Sequence, residues 1–304
     1  MAAPKIGVFL PTMWERDGAP VDLEAAARHI EGLGLDSAWA VDQLVAGTGV
    51  PFVDSTVALT AAAAVTERID LAYGVLILPL RPVAWAAKQA ASLQHVSGDR
   101  LILGVGIGGD RHERSWAAAG VPKRERGSRT DAGLEVLADL VAGKEVDLDG
   151  SPVQLAPGAT VPTIVVGGLA DAALRRAATY ADGWFAVPVN PELTAQAMAR
   201  LGELADEAGR PTPRLYASSM AVIDGDPSVP TSEQLVAKVS DVDGLYGMPA
   251  DAVPDMVVTG PPAAIAERIA ALGDVGADIV AFTLAAGDWF RQAELLAEAV
   301  ALVG

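Results

Sequence analysis

This chain predicts an α/β fold of the (β/α)8 TIM-barrel type. Three observations carry the prediction. Apolar strand-like runs alternate with amphipathic stretches of helical period along the 304 residues. The pairs number eight, which is the number that closes a barrel. The run Leu101–Leu103 is fully apolar and bounded by turn residues, as in a parallel sheet covered by helices on both faces. The alternation by itself leaves an open, doubly wound sheet as the second possibility.

In chain order, strands are expected at Lys5–Leu10, Ser37–Val41, Ile69–Ile77, Arg100–Val105, Thr163–Val166, Gly183–Val187, Arg214–Val222 and Asp278–Leu284. Each is a short apolar run bounded by turn residues. The fourth shows the pattern best: Ser97-Gly98-Asp99 turns into Leu101–Leu103, which ends in Gly104, Gly106, Gly108 and Gly109. Helices are expected at Leu23–Leu33, Ser55–Thr66, Pro82–His95, Arg129–Val141, Asp171–Tyr180, Pro191–Ala208, Pro262–Leu272 and Trp289–Leu302. Two stretches break the rhythm. Residues 144–162 are rich in Pro, Gly and Asp and are expected to be extended. Residues 224–256 hold a short helical pattern at Ser232–Val239 and are expected as an insertion near the C-terminal mouth. Residues 1–304 are expected to form one barrel domain.

Composition narrows the function. The 39 acidic and 22 basic residues give a net charge of −17, which disfavours nucleic acid and anionic membranes as partners. No run approaches the ~18 uninterrupted apolar residues of a membrane span. Zero cysteines exclude disulfides and thiol catalysis. With no signal-peptide pattern at the N-terminus, a cytoplasmic location is expected. A small-molecule substrate and a homodimeric assembly are also expected. The three histidines, His29, His95 and His112, are not spaced as metal-ligand pairs, so no metal site is expected. No Gly-x-Ser-x-Gly elbow is present.

In a barrel, chemistry sits at the C-terminal ends of the strands. Gly104-x-Gly106-x-x-Gly109 follows a strand and formally matches a dinucleotide fingerprint, but no helix starts behind it and no acidic residue ends the next strand. It fits better as room for a planar cofactor, with Gly106 and Gly108 as contacts. Val166-Gly167-Gly168-Leu169-Ala170-Asp171 joins a strand to a helix, whose first amides and dipole favour an anion. The alternative there is a tight turn that needs glycine, with Asp171 as a cap. Gly74 interrupts the third strand and marks a bulge or a close backbone approach. Asp42 ends the second strand, where it either acts chemically or caps the loop. Trp14, Tyr73, Trp116 and Tyr246 are candidate walls of a substrate pocket.

Taken together, these segments resemble the luciferase-like monooxygenase superfamily of flavin and deazaflavin (coenzyme F420) enzymes. The resemblance runs through Glu31-x-Leu33-Gly34-x-Asp36-Ser37-x-Trp39-x-x-Asp42, Thr66-Glu67-Arg68-Ile69, Pro79-Leu-Arg81-Pro82 and Ser97-Gly98-x-Arg100. It continues through Arg124-Glu-Arg126-Gly127, Val166-Gly167-Gly168, Ala181-Asp182-Gly183-Trp184 and Gly276-Ala277-Asp278.

The resemblance implies a ring cofactor at the barrel mouth, F420 or alternatively FMN. It implies a β-bulge with a cis peptide at Gly74–Val75 behind the ring, with Tyr73, Gly74 and Val75 as contacts. It implies ring-rim contacts at the glycine mouth and phosphate contacts at Gly167, Gly168, Leu169 and Ala170. Asp42, Gln43 and His112 are the candidate catalytic residues at the ring's reactive edge. Many members carry His after the strand-two Asp, where this chain has Gln43, and the sugar-phosphate dehydrogenase branch carries an acid at the position of Gly109. Glucose-6-phosphate oxidation is therefore excluded. The expected activity is F420-dependent hydride transfer to or from a small organic substrate. A reduced-FMN-dependent monooxygenase and a flavin-binding protein without turnover are the alternatives. F420 carries an acidic tail, so its binding requires Arg111, Arg114, Lys123, Arg124, Arg126, Arg175 and Arg176 to make the field at the mouth positive. The alternative is that they form surface ion pairs.

Overall fold

The computed structural model describes residues 3–15, 18–47, 49–109, 113–186, 190–244 and 246–303. Its strands close into a barrel. β1 (Lys5–Phe9), β2 (Ser37–Ala40), β3 (Asp70–Tyr73) and β4 (Leu101–Gly106) pair in parallel and in chain order. β5 (Thr163–Gly167), β6 (Gly183–Ala186), β7 (Arg214–Ile223) and β8 (Ala277–Leu284) continue the ring. It closes where Lys5 of β1 sits opposite Ile279 of β8. Closure excludes the doubly wound alternative.

Helices follow the strands in turn: α1 (Leu23–Gly32), α2 (Ser55–Val65), α3 (Val83–Ser97), α4 (Arg126–Val141), α5 (Asp171–Tyr180), α6 (Pro191–Glu207), α7 (Pro262–Asp274) and α8 (Trp289–Val300). Neighbouring strand residues point alternately to two cores. Val8, Leu71, Leu103, Val166 and Phe282 face the helices, while Phe9, Trp39, Ile102, Phe185 and Tyr216 fill the barrel. Inside, Trp39 stacks on Phe185 with centroids 5.1 Å apart. Burying each such large side chain contributes about 1.5–3 kcal/mol.

Many of the motif residues that carry the family resemblance are joints of this scaffold. Asp36 Oδ2 accepts the Ile6 N–H (2.7 Å), and Asp182 Oδ2 accepts the Ile164 N–H (2.9 Å), each carboxylate fixing the register with the preceding strand. Glu31 Oε1 accepts the N–H groups of Glu67 (2.9 Å), Arg68 (2.7 Å) and Ile69 (3.3 Å). Arg100 donates to the carbonyls of Ala63, Thr66 and Ile69, satisfying the end of α2 and the entry to β3.

The structure departs from expectation in five places. The third strand is split, with β3 ending at Tyr73 and pairing resuming at Leu76–Ile77. Residues 144–162 contain a hairpin, Glu145–Leu148 with Ser151–Gln154, turned at Asp149 and Gly150, both at positive φ. A helix at Glu113–Ala119 and a strand at Val257–Gly260, which pairs with β7, were not expected. α4 begins at Arg126 rather than Arg129.

The insertion packs Leu235, Val239 and Val253 on Met220 and Val222 of β7. Its root is held by Asp226, whose oxygens accept the N–H and hydroxyl of Ser228, the Asp288 N–H and the Gln292 amide. Among the described residues, no helix is long and apolar enough to cross a membrane.

Candidate active site

The mouth is built around the break in the third strand. The Gly74–Val75 peptide is cis. A Cβ on Gly104 would collide with the Tyr73 carbonyl oxygen, and one on Gly106 would collide with the Val75 side chain. A Cβ on Gly167 would lie 3.1 Å from Val75 Cγ1. Gly104 and Gly106 therefore leave room for the bulge. Val75 stays partly exposed, packed against the barrel core. Gly108, at φ +74°, lies against Trp116 and Ile77. Trp116 is buried, which corrects its assignment as a pocket wall, and its indole N–H has no acceptor.

The β5–α5 loop is the second part. α5 has no side-chain cap at its N-terminus, because its N-cap residue is Ala170, and the Asp171 carboxylate in its first turn pairs with Arg175 (2.8 Å) and Arg200 (3.0 Å). Those two arginines hold the Asp171 carboxyl below its usual range, Arg200 having the larger effect. Gly168 sits at φ +124° and its carbonyl accepts the Trp184 indole N–H at 2.7 Å. Gly167 ends β5, and the Gly168 N–H faces the Phe185 carbonyl at 3.4 Å. Leu169 and Ala170 lead into the uncapped helix start. An uncapped α-helix start with a fixed approach fits an anionic group.

The end of β2 separates two neighbours. Asp42 faces away from the mouth: its oxygens accept the Ser55 hydroxyl (2.9 Å), the Ile77 N–H (2.8 Å) and the Arg81 guanidinium. Both Asp42 oxygens are thus occupied by donors from the protein itself. Gln43 lines a cavity of about 340 Å³ together with Gly47, Glu113, Arg114, Val242 and Tyr246. The structure thus brings Gln43 and Tyr246 to one space and leaves Asp42 outside it. Tyr73 is also directed away, correcting its assignment as a pocket wall. Its ring lies in the layer between barrel and helices and its hydroxyl meets Thr56 Oγ1 at 3.0 Å. Burial pushes the Tyr73 phenol far above its ordinary value, so it stays protonated. Trp14 lies beside Pro51 on the loops after β1 and β2. His112 and Arg111 fall outside the described residues.

The luciferase-like monooxygenase family matches residues 5–279. The chain belongs to that family. An uncharacterized protein of Mycobacterium tuberculosis is 39% identical over 171 residues, covering 54% of this chain and 58% of the relative. The match therefore spans little more than half the length of that curated relative. Among solved structures, an F420-dependent secondary alcohol dehydrogenase in complex with an F420–acetone adduct superposes with a TM-score of 0.81 at 17% identity, covering 100% of both chains. A monooxygenase from Streptomyces bottropensis superposes with a TM-score of 0.78 at 21% identity, covering 98% of this chain and 99% of its own.

In this luciferase-like chain the described basic residues near the mouth are already engaged. Lys123 meets Glu113 (2.8 Å), Arg175 meets Asp171 (2.8 Å), Arg176 meets Asp131, Arg124 lies 3.9 Å from Glu125, and Arg114 donates to the Gly47 carbonyl (2.7 Å). These pairs correct the expected positive strip. A larger cavity of about 570 Å³ lies at the opposite end of the barrel, where Lys5 pairs with Asp70 (3.8 Å) and Arg214 with Asp278 (3.5 Å). That end of such barrels serves stability. Among the described residues no group of His, Asp and Glu is arranged to hold a metal. Two contributors had no role in the sequence reading: Arg81, 39 residues from its partner Asp42, and Trp184, 16 residues from Gly168. Both stand in the family motifs, but no spacing rule pairs them.

Proposed function

We propose that this protein is an F420-dependent oxidoreductase that moves a hydride between a deazaflavin and a small organic substrate. The observation that carries the proposal is the β5–α5 loop, an uncapped helix start whose approach is fixed by the bond from Trp184 to Gly168. This arrangement fits a cofactor phosphate. Val75, partly exposed in the mouth, fits the face of a planar ring. The full-length likeness to an F420-dependent alcohol dehydrogenase supports the choice of cofactor.

When bound, the deazaflavin supplies a two-electron hydride donor or acceptor at one ring carbon. The rest falls to the protein. The N–H groups of Leu169 and Ala170, with the first turn of α5, would hold the phosphate while the Gly168 N–H stays with the Phe185 carbonyl, and Val75 would support the ring. The Gln43 amide orients the substrate by hydrogen bonding but cannot carry a proton near neutral pH. His112 is assigned the proton. Tyr246 and Val242 of the insertion line the cavity beside Gln43.

A reduced-FMN-dependent monooxygenase is the second reading. It is favoured by the pairing of Lys123, Arg175 and Arg176 with carboxylates, which leaves little positive charge for an acidic tail. Separate titrations with F420, FMN and FAD test the two. Tighter binding of F420, with its spectrum perturbed on binding, is the expected result. Preference for FMN, with binding insensitive to salt, moves the assignment to the monooxygenase.

A further inference from the structure

We propose that Asp42 and Arg81 form a buried latch that sets the geometry of the mouth, which makes both of them positioning residues for the cofactor. This deepens, and rests on, the cofactor-binding function proposed above. The side chains are 2% and 17% exposed. Asp42 Oδ2 accepts both the Arg81 guanidinium and the Ile77 N–H, and Oδ1 accepts the Ser55 hydroxyl. One carboxylate thus ties the end of β2 to the start of α2, to the segment after the bulge, and to the residue before Pro82 at the entry to α3.

Each tied segment carries part of the mouth. Gln43, beside Asp42 in the chain, faces the cavity. Val75, two residues before Ile77, lies between Gly106 and Gly167. The Ile77 side chain packs on Trp116, and a Cβ on Gly108 would lie 2.9 Å from Ile77 Cγ2. Loosening the latch frees Gln43, Val75 and Gly108 together. The latch acts through Arg81 as a hydrogen-bond donor, so the latch and a proton carrier at Asp42 make opposite predictions for Arg81 variants. Removing one partner of a buried pair strands a charge, whereas removing both relieves it.

The test is a cycle of Asp42→Asn, Arg81→Met and the double variant in the full chain, with Ser55→Ala as a milder substitution. Three quantities are read: the Kd for F420 and for FMN, the pH profile of turnover, and hydrogen-exchange protection of the Ile77 amide. Each single variant of the pair is expected to raise Kd by about tenfold or more and to lower Ile77 protection. The double variant is expected to be no worse than the poorer single, and the shape of the pH profile should not change. Ser55→Ala is expected to raise Kd by about threefold. The proposal is overturned if Asp42→Asn keeps its Kd while a limb of the pH profile disappears, or if the single effects multiply in the double. Should Asp42→Asn fail to fold, unchanged Kd in both Arg81→Lys and Ser55→Ala overturns it. If the native protein binds neither cofactor, the proposed function fails. The latch is then judged on Ile77 exchange, and unchanged protection in Arg81→Met overturns it separately.

Discussion

The indole N–H of Trp184 donates to the carbonyl of Gly168 at 2.7 Å, so a residue of one strand fixes the loop that leaves its neighbour. Trp184 is fully buried and packs in the layer between barrel and helices. The bond turns the Gly168 carbonyl toward β6, away from the start of α5. Trp184→Phe keeps most of the packing and deletes only the donor. It should cost about 0.5–1.5 kcal/mol, because the half-buried carbonyl loses its partner. Cofactor affinity should fall several-fold as the loop loosens. Urea unfolding and cofactor titration of the variant measure the two effects.

Gly168 separates backbone strain from charge. Any side chain at φ +124° is strained, and its Cβ would lie 3.0 Å from that of Ala173. Gly168→Ala and Gly168→Asp share that strain, but only the second adds a negative charge at the helix start. If a phosphate binds there, the Asp variant should bind cofactor about tenfold more weakly than the Ala variant, since the added carboxylate repels the phosphate and takes its place at the positive end of the helix dipole. Equal affinities for the two variants would remove the phosphate from this loop.

The parts of this fold that were legible in the sequence are those set by local pattern. Eight apolar runs and eight helical stretches fell where the strands and helices are, mostly within one to three residues at their ends. Facing was not legible. A strand buried on both sides carries no polar alternation to show which residues look inward, so Asp42 and Gln43 were equal candidates until β2 was seen to turn Trp39 in and Ala40 out. Tyr73 failed for the same reason. The glycine mouth is ambiguous in sequence, because a Cβ can be excluded by the protein's own bulge as readily as by a ligand. The hairpin at 145–154 was legible but overlooked: Asp149-Gly150 is a strong two-residue hairpin signal.

The packing of Val75 against Gly106 can be tested by exchange of volume. Gly106→Ala forces its new methyl into Val75 and should destabilise the protein by about 1–3 kcal/mol. Adding Val75→Ala removes the obstacle. The double variant should recover stability relative to Gly106→Ala alone, a non-additivity visible in thermal unfolding. Simple addition of the two losses would mean that the strands do not meet as described.

Gln43 lies in the cavity without a titratable group of its own. Gln43→His should add an ionisation to the pH dependence of turnover near the ordinary imidazole value of about 6.5. Gln43→Ala should raise KM more than it lowers kcat if the amide only orients substrate. A Gln43→His profile that overlays the native one from pH 5 to 9 would place Gln43 away from the reacting atoms.

Asp226 governs how the insertion holds to the barrel as pH falls. Burial acts to raise its pKa, but the hydrogen bonds from Ser228, Asp288 and Gln292 outweigh it and leave the carboxyl below its ordinary 3.8. A folded-state value below the unfolded one means that the unfolded chain binds the proton more readily. The contribution of Asp226 is therefore complete above pH 3.8 and is lost as pH falls through the lowered folded value. Asp226→Asn should cost about 1–3 kcal/mol at neutral pH, because its amide group presents a donor to donors at a buried position. The same variant should show a shallower fall in Tm than the native protein between pH 5 and 2.5. Parallel acid limbs in the two proteins would show that other carboxylates, and not this anchor, set the acid sensitivity.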